Sequence, residues 1–153
     1  MKKRSAFFGA IISLVPFSQP LFLGSTGSLL LSYSVKANAE TFEIYLNRAI
    51  EKENKGDTFG SIYDYTSALR LNPTSLDALF RRGRAKMLIN DFDGAIADFT
   101  QVVELDPNNV DAYFYRAEAK ESVGSFFGAV KDYSRVITLD PLYSEAYYNR
   151  GLS

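Results

Sequence analysis

Leu76 to Asn109 reads LDALFRRGRAKMLINDFDGAIADFTQVVELDPNN, and its pattern returns on both sides of it. The Leu105-Asp106-Pro107 corner is matched by Leu71-Asn72-Pro73 before it and Leu139-Asp140-Pro141 after it, the prolines standing 34 residues apart. A fixed spacing of this length marks structural repeats. It divides the chain into units 42–75, 76–109 and 110–143, with a fourth begun and incomplete at 144–153.

Within each unit the spacing of apolar residues predicts two helices. Helix A covers about Phe42 to Lys55, Leu76 to Ile89 and Val110 to Val123 and ends at Gly56, Asn90 and Gly124, residue types that accept a left-handed backbone. The next residues, Asp57, Asp91 and Ser125, have side-chain oxygens suited to cap a second helix. Apolar residues then recur every three to four positions, as in Ala95, Ile96, Phe99, Val102 and Val103, up to the Asp-Pro corner. Small residues recur where the helices must approach: Ala49, Gly83, Ala117 and Gly151 on helix A, Ser61, Ala95 and Ala129 on helix B. Tyr65, Phe99 and Tyr133 supply the rings that fill the space beside them.

This arrangement of 34-residue helical hairpins with small residues, a recurrent ring and a closing proline resembles the tetratricopeptide repeat, or TPR, over Phe42 to Ser153. The resemblance implies an all-α helical-hairpin solenoid, a right-handed TPR superhelix of three complete repeats and a truncated fourth. One departure is periodic. Helix A carries Arg48, Arg82, Arg116 and Arg150, then Lys52, Lys86 and Lys120, where the family often has large apolar residues. Asp64, Asp98 and Asp132 recur on helix B with the same period, so the basic ladder is expected to be neutralised inside the fold, its long stems covering apolar surface.

What varies between units on the helix A face that lines the family's concave groove is the candidate partner site. In the first unit it comprises Glu43, Leu46, Asn47 and Ile50; in the second, Phe80, Arg81, Arg84 and Met87; in the third, Phe114, Tyr115 and Glu118; then Tyr148 and Asn149. Aromatic and Arg side chains are enriched in protein contact sites. Some TPR proteins hold a terminal carboxylate with Lys, Asn and Arg on consecutive A helices. That clamp is not reproduced, because Leu46 and Ile50 occupy two of its positions and Asp111 a third.

The first 39 residues differ from the rest. Met1-Lys2-Lys3-Arg4, an apolar run from Ala6 to Leu23 and Ala37-Asn38-Ala39 before Glu40 read as a secretory signal peptide. The expectation is export to a periplasm, an equivalent lumen or the medium; an uncleaved membrane anchor is the alternative, and only then is a membrane a partner. Residues 1–39 hold four bases and no acid, leaving 13 basic against 18 acidic residues in the remainder, a poor footprint for nucleic acid.

With no cysteine there is no disulfide or thiol chemistry, and with no histidine the usual general base and zinc ligand are missing. Asp91-Phe92-Asp93-Gly94 lacks the remaining ligands of a calcium loop, and Pro73 spoils Asn72-Pro73-Thr74 as a glycosylation acceptor. No metal, cofactor or enzymatic activity is expected.

The function expected is that of an adaptor holding an extended peptide or a helix of another protein in the groove, with micromolar affinity. The rivals are a self-associating structural scaffold and a membrane-tethered TPR scaffold. The start of a fourth helix A without its helix B, with Tyr147 and Gly151 at the positions of Leu79 and Gly83, predicts a labile end and a route to homodimers.

Overall fold

A computed structural model describes residues 25–153, and the residues described are all in helices and short connections. The helices are α1 (Ser25–Asn54), α2 (Thr58–Leu71), α3 (Leu76–Leu88), α4 (Phe92–Leu105), α5 (Val110–Ser122), α6 (Phe126–Leu139) and α7 (Ser144–Leu152). Each packs on its neighbours in chain order, and α3 also touches α5, so the A helices share one side of a stack of hairpins.

The turns work as their residue types dictate. Gly56, Asn90 and Gly124 end the A helices at φ of 77°, 61° and 76°. Asp57 then accepts the Gly60 N–H and Asp91 the Gly94 N–H, which gives Asp91-Phe92-Asp93-Gly94 the role of a helix start. Ser125 is a correction: it sits at the N-cap of α6 but makes no side-chain cap bond. At the Asp-Pro corners the residue before proline is forced out of the helical region, and Asn72, Asp106 and Asp140 adopt φ near −135°, −131° and −132°. Their side-chain oxygens accept from the N–H groups of Thr74, Asn108 and Leu142, the same two-residue turn three times. Ser75 and Asn109 cap the helices that come next.

The first helix departs from its expected start at Phe42. It begins at Ser25 and runs unbroken for 30 residues, because no proline interrupts the sequence after residue 20 until the end of α2. Ala37-Asn38-Ala39 therefore lies within α1, exposed like the residues around it. The basic start and the apolar run of the expected leader, up to residue 24, lie outside the described residues. No helix among the described residues is long and apolar enough to cross a membrane.

The core is a line of small and large residues between hairpins. Tyr65, Phe99 and Tyr133 are fully buried, as are Ala49, Ala95, Ala117 and Ala129. Gly83 fits closely against this core: a methyl group there would lie 2.8 Å from Cε1 and 2.9 Å from Cζ of Phe99.

The ladder closes within each unit. Arg48 grips Asp64 through two hydrogen bonds, Arg82 grips Asp98 at 2.9 and 2.6 Å, and Arg116 grips Asp132 at 2.8 and 2.7 Å. Lys52, Lys86 and Lys120 reach the same carboxylates at 2.9, 2.9 and 2.7 Å. The three aspartates are 0%, 1% and 3% exposed, so each buried carboxylate has two cations. The remaining guanidinium nitrogen of Arg82 and Arg116 donates to Thr66 and Thr100 of the preceding unit, and Arg150 reaches Ser134 in the same way. One side chain thus ties three helices and sets how successive hairpins stack. Beside Arg48 the Asp64 carboxyl is held below its ordinary pKa, chiefly by that arginine's hydrogen bond.

Candidate functional site

The A helices bring the candidate residues to one side, but they do so unequally. Phe114 is a correction. It is 4% exposed and packs with its ring centre 5.7 Å from Tyr133 and 5.0 Å from Tyr143, so it belongs to the core of the third unit. Leu46 and Ile50 are partly buried against the first core cluster. Phe80 and Tyr115 are half-buried: each meets Phe99, Phe80 edge-on at 5.7 Å and Tyr115 stacked at 5.9 Å, and they meet each other at 5.5 Å. These two rings therefore form the floor of the surface and also its support.

Arg81 is engaged. Its guanidinium donates to Asp77 on its own helix at 2.7 Å and to Glu53 of the preceding unit at 3.3 Å. Those carboxylates, Asp77 first, hold it firmly protonated. Arg84 differs: it is exposed, lies 5.6 Å from the Tyr115 ring centre, and forms no ion pair among the described residues. Glu43 and Asn47 are exposed on α1, as is Tyr148 on α7; Asn149 is half-buried. Glu118 is half-buried, and its pKa is raised by that burial first and by Glu145 and Glu121 second.

One pairing escaped the sequence reading. The Tyr65 hydroxyl donates to Glu53 at 2.5 Å and the Tyr133 hydroxyl to Glu121 at 2.9 Å. The equivalent positions in the second unit hold Phe99 and Met87, and Met87 packs against the apolar cluster that contains Phe99. Met87, a groove candidate by sequence, is thus the apolar partner that a ring without a hydroxyl demands. The signal was present in the sequence as a correlated change at two positions twelve apart, Glu with Tyr and Met with Phe.

The same pairing predicts alkaline sensitivity. Burial first, and the neighbouring glutamate second, push the Tyr65 and Tyr133 hydroxyls above their ordinary value of 10.0. A folded pKa above the unfolded one contributes stability that is complete below pH 10 and is lost as pH rises beyond it. At pH 11 each tyrosine is expected to cost about 1 kcal/mol. Thermal melts at pH 8.5 and 11 should show a smaller loss in Glu121→Met/Tyr133→Phe, which copies the second unit, than in the parent; equal losses would refute the role given to the hydroxyl.

Between the first and second units the surface dips into a cleft of about 260 Å³, bordered by the end of α1, the start of α2, the last turn of α3 and Tyr115 of α5. It brings together Arg84, Met87 and Tyr115 of the expected set, and adds Glu53 and Leu88.

Residues 83–124 match the family model described as TPR repeat. No curated protein matches the chain. Among solved structures, a crystal structure of MamA protein aligns with a TM-score of 0.72 at 31% identity, covering 74% of this chain and 62% of that one. The chain thus spans less than two thirds of the length of that relative. The first TPR of Spaghetti (RPAP3), solved bound to the HSP90 peptide SRMEEVD, aligns at 0.69 with 23% identity over 74% of this chain and 90% of that one. The Arabidopsis OM64 TPR domain aligns at 0.70 with 23% identity over 75% and 95%. The last two are alike in fold alone.

Proposed function

Because the chain is a tetratricopeptide-repeat protein, we propose that it is a protein-interaction module that holds an extended peptide or a helix of a partner on the surface made by α1, α3, α5 and α7. The observation that carries the reading is Arg84. Arg48, Arg81, Arg82 and Arg116 are all held by carboxylates, whereas Arg84 stands in solvent over Tyr115 at the edge of the cleft. An exposed arginine on an aromatic face, beside apolar walls, is the kind of anchor that protein contacts use. The first TPR of Spaghetti holds a peptide on the same fold, which supports the peptide-holding part of the reading.

This role belongs to the repeats and holds whether residues 1–39 are removed on export or retained. Its test is affinity capture from the source cell with the whole chain, followed by titration of the captured partner against Arg84→Glu. Binding is expected to weaken at least about tenfold, or 1.4 kcal/mol, with helicity and melting temperature unchanged, because Arg84 supports nothing in the core. Undiminished affinity would move the site off this surface.

A further inference from the structure

The cleft between the first two units is more specific than a general contact surface, and a role for it rests on the A-helix face being the partner site. It is lined by the small residues Gly56, Ser61 and Ala85, by Met87, Leu88 and Tyr115, and by Glu53, whose carboxylate is already held by Arg81 and the Tyr65 hydroxyl. At about 260 Å³ it falls below the range of roughly 300–1,000 Å³ typical of small-molecule sites, so its occupant is of side-chain size.

The periodicity singles out one residue that borders this space. The first residue of helix B is Thr58 in the first unit, Phe92 in the second and Phe126 in the third. Each comes after an Asp or Ser at the cap and precedes by two a glycine, Gly60, Gly94 or Gly128, so the position is equivalent in the three units while its side chain changes. Thr58 borders the cleft with a short side chain; at the same position the other units carry a ring, half-buried as Phe92 and exposed as Phe126. At the rim, Arg84 supplies a cation with no carboxylate on it among the described residues.

We propose that this cleft takes one large apolar or aromatic side chain of the partner segment, and that an acidic residue next to it in the partner sequence pairs with Arg84. The ring buries against Met87, Leu88 and Tyr115, and the acid completes the one arginine of α3 that the fold leaves without a counter-charge.

The test uses the isotope-labelled whole chain and two probes, N-acetyl-phenylalanyl-aspartate amide and N-acetyl-phenylalanyl-lysine amide, titrated to roughly 10 mM so that a millimolar complex saturates. The aspartate probe is expected to shift the amides of Ser61, Ala85 and Leu88 saturably, and the lysine probe to bind at least tenfold more weakly. Thr58→Phe, which installs the residue type of the other units, should abolish the shifts while keeping helicity and melting temperature. Arg84→Glu should invert the preference between the probes. Unchanged shifts in Thr58→Phe, or no saturable shift at these amides in the parent, would overturn the cleft. A captured partner that needs Arg84 yet binds Thr58→Phe as tightly as the parent would overturn the cleft and leave the groove as the partner site; one indifferent to both substitutions would overturn both.

Discussion

Asp98→Ala is expected to cost about 3–5 kcal/mol, which is the penalty for leaving buried charge without its partner. Asp98 is 1% exposed and holds Arg82 and Lys86, whose side chains are only 14% and 16% exposed. Removing the carboxylate leaves two cations between α3 and α4 with nothing to offset their lost hydration. Arg82 would also lose the orientation that lets it donate to Thr66, so the contact between the first and second hairpins suffers with the pair itself. Against a typical total of about 5–15 kcal/mol this is a large fraction, and the melting temperature should fall by more than about 10 °C. Arg48→Ala is the internal comparison. Arg48 makes the same two bonds to Asp64, but its side chain is 45% exposed, and Lys52 remains on that carboxylate, so the loss should be much smaller than in Asp98→Ala. Melting temperatures unchanged from the parent in both variants would mean that the ladder is ornamental and that stacking rests on apolar contact alone.

Phe99→Ala should be comparably damaging, at about 3–5 kcal/mol, for a different reason. The ring is fully buried, and Phe80, Tyr115 and Gly83 all meet it, so its loss leaves a cavity that three elements would have to close. The partner substitution gives a sharper test of the close fit. In Gly83→Ala the new methyl would stand 2.8 Å from the Phe99 ring, an overlap expected to cost about 1–3 kcal/mol, offset in part by the roughly 1 kcal/mol that alanine gains over glycine inside a helix. In a Phe99→Ala background the overlap disappears, and Gly83→Ala should then stabilise. Urea denaturation of the four proteins of this cycle would show a coupling above about 1 kcal/mol; additive effects would mean that the hairpin relaxes around the methyl and that Gly83 is not set by the ring.

How legible these features were in the sequence depended on the range of the interaction. Asn90 and the two glycines end their helices in the left-handed region because a three-residue turn has few other solutions, and the residue types announce it. Asp57 and Asp91 could be read as caps for the same local reason. Ser125 could not, since a hydroxyl at the right position still has to point at the helix end, and here it makes no such bond. The arginine, lysine and aspartate ladder was also legible, although its bonds join residues 12 to 16 apart, because the repeat displays the same pairing three times.

The 34-residue period therefore determined by itself that the chain folds as stacked helical hairpins, where each hairpin turns, and which charges are spent on holding it together. All of these are interactions within one unit, and a repeated unit states its own rules. What only the tertiary structure decided is which of the non-repeating residues remain free. Phe114 and Tyr115 are adjacent in sequence and both are large rings, yet one is sealed against Tyr133 and Tyr143 while the other stacks on Phe99 and carries Arg84 on its face. Arg81 and Arg84 differ as much, because Glu53, 28 residues before Arg81 and in another unit, reaches the first and not the second. Even α1, extended to Ser25 where the period places no helix, is explained by the lack of a proline and not by the repeat. Exposure and pairing between units depend on how the hairpins stack, a distance that no single unit contains, and so the binding surface became readable only when the units were placed side by side.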